Sequence, residues 1–281
     1  MPRRLTATLR PKQSLGQNFL RDENICRKIV SAINPEHNDV ILEIGPGEGA
    51  LTKYLLGRTG TLVVVDIDRR VIAYLNDHVL PVRQPGFQST VTVLHQDILE
   101  TDLTSLSHQL ENRLRIVGNV PYHITSPIIF HVLQHRNAVT DLTIMIQKEV
   151  ARRLVAIPRT KDYGILAVLC QLNADVKLLF EVSPNAFYPK PKVTSAVVRL
   201  RMLDRPRVPV RDEAFVTMVV RGVFGKRRKT LRNSLAYLFD QQMPPTVAGL
   251  DLQRRPEELT VAELVDLANA LCTDFNHAPK D

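Results

Sequence analysis

Cysteine is scarce in this chain of 281 residues, where Cys26, Cys170 and Cys272 are odd in number and far apart. That argues against a disulfide framework or a thiolate zinc site and fits a reducing compartment. Apolar runs are short as well. None reaches the ~18–20 residues that a membrane span needs, and the N-terminus lacks the apolar stretch of a secretory signal. A cytoplasmic protein without a membrane partner is expected. Metal ligands are not grouped. His131 and His135 stand one helical turn apart on an expected helix. No third ligand lies near them, so a solvated face and no metal are expected. Acid is missing from residues 221–232, which hold Arg221, Lys226, Arg227, Arg228, Lys229 and Arg232 with no Asp or Glu.

Basic residues gather in two further places. Residues 1–28 carry seven basic and two acidic side chains. Residues 148–161 carry Lys148, Arg152, Arg153, Arg159 and Lys161 against Glu149. The formal charge is +8 and the isoelectric point about 9.6. One such run is usually a solvated helix face. Three runs flanking a cofactor-type domain favour a nucleic acid substrate. The length fits one large domain and one small one, and 44% hydrophobic residues suffice for a sizeable core.

The chain is organised around Val40 to Ala50, Val-Ile-Leu-Glu-Ile-Gly-Pro-Gly-Glu-Gly-Ala. Val40 to Ile44 reads as a buried strand and Ala50 onward as a helix start. Between them, Gly45, Gly47 and Gly49 permit positive φ and close approach of a ligand to the backbone. Such a turn is where nucleotide-like cofactors sit in α/β sheets, with an acid about 20 residues on to hold a ribose. Asp66 ends the strand that begins at Thr61 and supplies that acid. Gly45, Gly47 and Ala50 also satisfy a relaxed dinucleotide fingerprint. Glu43 and Pro46 lean the other way, because Glu-x-Gly-x-Gly-x-Gly resembles motif I of S-adenosylmethionine methyltransferases.

From Asp39 strands and helices alternate, which implies right-handed crossovers and a parallel sheet. Strands are expected near 40–44, 61–66, 91–94, 115–118, 140–146, 174–182 and 193–202. Helices are expected from Asp22 to Ile33, near 50–57, 69–78, 126–135, 148–156 and 163–173, then at 211–224, 227–240 and 260–271. The apolar face of the first is Ile25, Ile29, Val30 and Ile33. Residues 80–90 read as an exposed loop and Arg205 to Pro209 as a linker. The division is thus 1–204, an α/β domain with an N-terminal arm or flap, and 205–281, a small all-helical domain. Asp97 follows the third strand at the carboxyl edge, either accepting from an adenine amino group or capping a helix.

Asn119-Val120-Pro121-Tyr122 leaves the fourth strand at the same edge. Asn119 offers an amide oxygen, Pro121 stiffens the turn, and Tyr122 offers an aromatic face. This set suits a flat, amino-bearing ring. Asn119 to Tyr122 resembles motif IV of the rRNA adenine dimethyltransferases. Gln17 to Leu20 is similar to the N-terminal motif of that family, Ser183 to Val193 to its motif VIII, and Arg227 to Leu235 to a C-terminal signature. The resemblance covers about residues 12–270. Val120 stands where Leu is usual and Asp66 where many members carry Glu.

The resemblance implies a class I methyltransferase fold of α/β type, a mostly parallel seven-stranded sheet with a small C-terminal all-α domain. It implies S-adenosylmethionine as cofactor, with Asn18 and Leu20 in a flap, Gly45 at the methionine end, Gly47 in the same glycine turn, Glu43 supporting that turn and touching the cofactor, Asp66 on the ribose, Asp97 on the adenine and Asn119 also in the cofactor-binding set. Asn119 and the Pro121 carbonyl would grip the target amine, with Tyr122 and Phe187 stacking the base. The product would be N6,N6-dimethyladenosine at two adjacent adenosines in a hairpin near the 3′ end of 16S rRNA, in the 30S subunit or its precursor. Lys226, Arg227, Arg228, Lys229 and Arg232 would contact RNA, and a monomer is expected. Two alternatives stay open. A nicotinamide-dependent oxidoreductase leaves Asn119 to Tyr122 and the basic runs unexplained. A non-catalytic RNA-binding or transcription factor of the same descent is opposed by the intact glycine and Asn119 motifs.

Overall fold

The structure, a computed structural model, describes residues 9–12, 15–81, 89–226, 229–239 and 249–276. Chain order gives β1 (Phe19–Leu20), α1 (Glu23–Ile33), β2 (Val40–Ile44), α2 (Thr52–Leu55), β3 (Thr61–Asp66), α3 (Arg69–Tyr74), β4 (Thr90–His95), α4 (Leu103–Gln109), β5 (Leu114–Asn119) and α5 (Thr125–Gln134). It continues with β6 (Val139–Gln147), α6 (Lys148–Leu154), α7 (Ile165–Asn173), β7 (Ala174–Val182), β8 (Phe187–Tyr188), β9 (Ser195–Met202), α8 (Glu213–Gly225), α9 (Leu231–Leu238) and α10 (Val261–Asn276).

Seven strands form one sheet in the order β4-β3-β2-β5-β6-β9-β7. Strands β4 through β6 pair in parallel, and β9 runs antiparallel to β6. All five residues of β2 are buried, as a parallel strand covered on both faces requires. Sequence order reverses between β2 and β5, which opens a crevice at their carboxyl ends. The mostly parallel seven-stranded α/β sheet expected from the sequence is therefore present.

Helix α1 shows how local sequence makes these elements. The Asp22 side chain accepts from the Asn24 and Ile25 amides, and Asn34 ends the helix in the left-handed conformation. The buried face is Cys26, Ile29, Val30 and Ile33, so Cys26 takes the place expected for Ile25. Burying each large aliphatic side chain contributes ~1.5–3 kcal/mol. Arg115 ties the end of α1 to the sheet. It pairs with Asp39 at 2.6 Å and Asp141 at 2.9 Å and donates to the Ile33 carbonyl.

Two elements were not foreseen. The first is helix α4, although Asp102 caps it by accepting from Thr104 and Ser105. The second is a separate two-stranded antiparallel ladder, in which Phe19 pairs with Tyr188 and Leu20 with Phe187. Most of the loop expected at 80–90, residues 82–88, lies outside the described residues.

The chain separates into two units, residues 1–151 with 177–202, and residues 152–176 with 203–281. This differs from a single cut at 204/205, because helix α7 belongs with the later helices. A reading in chain order sees only contiguous segments. Within the second unit, Val216, Val219, Val220 and Val223 line the buried face of α8, and Tyr163 meets Phe224 edge-on at 6.0 Å. The segment read as a linker is held within this unit, with Arg207 paired to Asp175 at 2.6 Å and the Pro209 carbonyl accepting from Asn269 at 2.8 Å.

Candidate active site

Parallel register assembles the site. Ile44 lies beside Val65 on one side and Gly118 on the other, while Asp66 lies beside His95. The next positions along, Gly45, Asp66 and Asn119, therefore share one row at the carboxyl edge. Gly118 makes the row close, since a Cβ there would lie 2.6 Å from the Ile44 carbonyl oxygen.

An open cleft lies above this row, with about 950 Å³ of empty space when the solvent at its mouth is included. Of the residues singled out from the sequence, Asn18, Gly45, Gly47, Asp66, Asp97, Asn119, Pro121 and Tyr122 line it. Leu20 and Glu43 line a smaller adjoining cavity that shares Gly45, Gly47 and Asn119. Phe187 lines neither of these cavities. It is 6% exposed and faces the core with its ladder partner Leu20. Alternation along the strand turns its neighbour Tyr188 the opposite way.

The glycine turn needs its glycines. Gly45 and Gly47 have φ of +63° and +57°, a region that side-chain-bearing residues rarely adopt. A Cβ on Gly47 would also meet the Phe19 ring at 2.9 Å. Beneath the turn, Glu43 is 2% exposed and accepts a 2.7 Å hydrogen bond from the Thr52 hydroxyl. Burial pushes its carboxyl up to about 7. Glu43 thus braces strand β2 against helix α2 from below the cleft.

Two carboxylates follow on the neighbouring strands. Burial pushes Asp66 up to about 6. One of its oxygens accepts from the Asp68 amide at 2.8 Å. Asp97 caps the turn that follows β4 by accepting from the Leu99 amide at 2.9 Å, and it also lines the cleft. The two readings of Asp97 left open by the sequence are compatible, because a carboxylate has a second oxygen. Ile67 is 54% exposed and adds an apolar wall.

Asn119 donates from its side-chain nitrogen to the Asn18 carbonyl at 2.8 Å. This bond fixes the amide, so its oxygen is the remaining acceptor. The Pro121 carbonyl already accepts from the Ile124 amide at 3.2 Å and keeps a second lone pair. Tyr122 shares a 2.7 Å hydrogen bond with the fully buried Ser195. Burial raises the Tyr122 phenol above its usual range. The ring is held at one end and remains on the cleft wall.

The N-terminal segment is anchored by Asp68, which was not among the residues singled out from the sequence. Asp68 is 3% exposed. It accepts from Gln17 at 3.3 Å and from Arg70 Nη2 at 2.5 Å, and it pairs with Lys12 at 3.5 Å. The Arg70 hydrogen bonds hold its carboxyl well below the usual carboxylate range. Asp68 caps α3, and that acid before Arg69-Arg70 was its only local signal. Ser195 carried no signal at all.

His131 and His135 are half-buried rather than on a solvated face. His131 Nε2 lies 2.9 Å from the Thr101 carbonyl, and His135 Nδ1 lies 2.9 Å from the His131 carbonyl. Among the described residues, no three His, Cys, Asp or Glu side chains are grouped to hold a metal. No helix among them is long and apolar enough to cross a membrane. In the second unit, Lys226, Lys229 and Arg232 are exposed, and the Lys226 ammonium lies 4.8 Å from the Tyr237 ring centre. Arg227 and Arg228 lie outside the described residues.

Residues 8–272 match the family described as "Ribosomal RNA adenine dimethylase". A "Ribosomal RNA small subunit methyltransferase A" of Xylella fastidiosa is 43% identical over 92% of this chain and 95% of its own length. One of the same name from Aromatoleum aromaticum is 44% identical over 92% and 94%. The crystal structure of a dimethyladenosine transferase from Plasmodium falciparum shares the fold, with a TM-score of 0.71 at 24% identity over 92% of this chain and 97% of that one.

Proposed function

The chain belongs to the ribosomal RNA adenine dimethylase family, and from that membership we propose its reaction. It transfers methyl groups from S-adenosylmethionine to N6 of two adjacent adenosines. These lie in a hairpin loop near the 3′ end of 16S rRNA, in the small ribosomal subunit or its precursor. The protein works in the cytoplasm as a monomer and contributes to small-subunit biogenesis.

The residues present fit the cofactor. The cleft joins apolar walls from Phe19, Ile44 and Ile67 to a few polar groups of Asn18, Asp66, Asp97 and Asn119, the mixture that small-molecule sites use. Gly45 leaves open space where a side chain would project, its nearest neighbour being the Asn119 carbonyl oxygen at 3.8 Å. Asp66 keeps one carboxylate oxygen for a ribose and Asp97 one for an adenine amino group. Asn18 and Leu20 belong to the segment that covers the site, and Glu43 supports the glycine turn from beneath. When bound, S-adenosylmethionine supplies an electrophilic methyl carbon on a positively charged sulfur.

The nucleophile is an exocyclic adenine nitrogen whose lone pair is delocalised into the ring. The Asn119 side-chain oxygen and the free lone pair of the Pro121 carbonyl accept from that amine. Two acceptors in this arrangement localise the lone pair without prior deprotonation; as the nitrogen–carbon bond forms the carbon–sulfur bond breaks, and the methylated amine then gives its proton to solvent. Tyr122 stacks on the base, an interaction worth ~1–3 kcal/mol. Phe187 supports the covering segment through its pairing with Leu20. Rate enhancement then comes from positioning and fixed dipoles. The base must leave its stack, which favours a loop target. Lys226, Lys229 and Arg232, with Arg227 and Arg228 between them in sequence, form the basic run that meets the RNA backbone.

The observation that carries this reading is the shared row of Gly45, Asp66 and Asn119 at one sheet edge. The test is transfer of labelled methyl from S-adenosylmethionine to small-subunit particles lacking the modification, followed by mass spectrometry of the rRNA. Dimethylated adenosine in the 3′-terminal hairpin is expected, and Asn119→Ala should abolish it. RNA binding without methylation under any condition would leave a non-catalytic RNA-binding role. Binding of NAD without S-adenosylmethionine would leave an oxidoreductase.

A further inference from the structure

Tyr188 is a large aromatic residue left 53% exposed. Arg21 covers part of it, with the guanidinium carbon 4.5 Å from the ring centre, in cation–π range. Arg21 is itself 3.5 Å from the Glu48 carboxylate. After Tyr188 come Pro189, Lys190, Pro191 and Lys192. Both lysines are exposed, and neither has an ion-pair partner among the described residues. Pro191 is buried and anchors the turn between them. The prolines fix φ at two of these positions, so the lysines lose less freedom on binding. The exposed Val193 completes the patch.

The fold ties this patch to the cleft at both ends. Tyr188 pairs across the small ladder with Phe19, and Phe19 lines the cleft. Directly paired residues share a face of the ladder. Two residues beyond Val193, Ser195 holds the Tyr122 hydroxyl. The segment 188–194 is therefore strung between the wall beside the glycine turn and the wall beside Asn119. An exposed ring, a stacked guanidinium and two unpaired ammonium groups make the chemistry that recognises unpaired nucleotides: rings stack on bases and cations meet phosphates. A protein partner would be expected to bury a wider apolar area than one tyrosine and one valine provide.

We infer that Tyr188 with Arg21, Lys190 and Lys192 forms a second nucleotide subsite, at which a loop base flanking the target adenosine stacks on Tyr188 while its phosphates meet the two lysines. The inference rests on the proposed RNA substrate. It adds a place that holds the flanking strand in the single-stranded form while the target base enters the cleft.

The test uses the full-length protein and a synthetic hairpin with the sequence of the 3′-terminal small-subunit rRNA loop. It carries 2-aminopurine beside the adenosine pair. Binding to wild type should quench the fluorophore by stacking. Tyr188→Ala should remove that quenching and weaken hairpin binding by about 5- to 150-fold, while Tyr188→Phe keeps both. Replacing Lys190 and Lys192 by serine should reduce the slope of log affinity against log salt by about 1.4, for two single-strand phosphate contacts. Affinity for S-adenosylmethionine should be unchanged in every variant. Unaltered quenching and hairpin affinity in Tyr188→Ala would overturn the subsite, as would a parallel loss of cofactor binding, which would mark Tyr188 as structural. The methylation reaction itself is judged separately, by methyl transfer in wild type, because the quenching and binding readouts do not require turnover.

Discussion

The Asn119 side chain donates to the main-chain carbonyl of Asn18 across 101 residues of sequence, at 2.8 Å. The amide that faces the proposed substrate is thus oriented by the N-terminal segment proposed to cover the cofactor. Removing it should abolish methyl transfer. Asn119→Ala is expected to lower the single-turnover rate by at least ~100-fold, the scale found when one preorganised polar group is lost from an active site. Asn119→Asp keeps the acceptor but turns the donor into a carboxylate facing a carbonyl, and it should be nearly as slow. Rapid-quench assays with labelled cofactor would measure both. A wild-type rate in either would disprove the assignment.

The covering segment depends on Asp68, which engages Gln17, Lys12 and Arg70 together. Asp68→Ala should raise the cofactor dissociation constant by roughly ten-fold and lower stability by ~1 kcal/mol through the lost cap of α3. Hydrogen exchange should quicken at 15–20 while the strands of the large sheet remain protected. Uniform deprotection across the sheet would instead indicate global unfolding.

Gly47 has a φ of +57°, and a Cβ there would strike the Phe19 ring at 2.9 Å. Gly47→Ala should destabilise the protein by ~1–3 kcal/mol, combining backbone strain with overpacking. It should also weaken cofactor binding, because Phe19 lines the same cleft. Urea denaturation and calorimetric titration would check the two effects. Unchanged stability would mean that the turn adopts another conformation.

Glu43 gives the protein a pH-dependent stability. Its carboxyl is raised by burial from 4.5 to about 7 in the folded state. Between those values the folded protein binds more protons than the unfolded chain, so stability falls as pH rises through that window and levels off above it. The loss attributable to this group is on the order of 3 kcal/mol. Glu43→Gln keeps the shape without the charge, so the variant should gain on wild type as pH rises from 4.5 to 7. Denaturation midpoints of both proteins across that range would show the divergence. Parallel curves would count against a buried, ionising Glu43.

The second unit should supply salt-sensitive RNA affinity. Replacing Lys226, Lys229 and Arg232 together by serine should weaken binding to small-subunit rRNA and reduce the salt slope by about 2, for three phosphate contacts at ~0.7 each. An unchanged slope would exclude this exposed run as a backbone contact.

Several of these residues were visible in the sequence and others were not. The glycine turn, Asp66 and Asn119 each sit next to a short apolar strand, and alternation of strands with helices fixes a parallel sheet. Parallel strands bring their carboxyl ends to one edge, so the sequence pattern by itself determined the α/β class and the grouping of those residues. Their resemblance to known motifs then suggested the chemistry. The tertiary structure decided what depends on pairing between distant segments. Leu20 meets Phe187 across the small ladder, and that register turns Phe187 inward and Tyr188 outward. Asp68 gathers Lys12, Gln17 and Arg70, Ser195 takes the Tyr122 hydroxyl, and α7 joins the helices that follow the sheet. Periodicity and turn chemistry act over a few neighbouring residues and are written locally. Which face a two-residue strand presents, and which carboxylate a distant side chain finds, follow from packing that exists only once the chain has closed on itself.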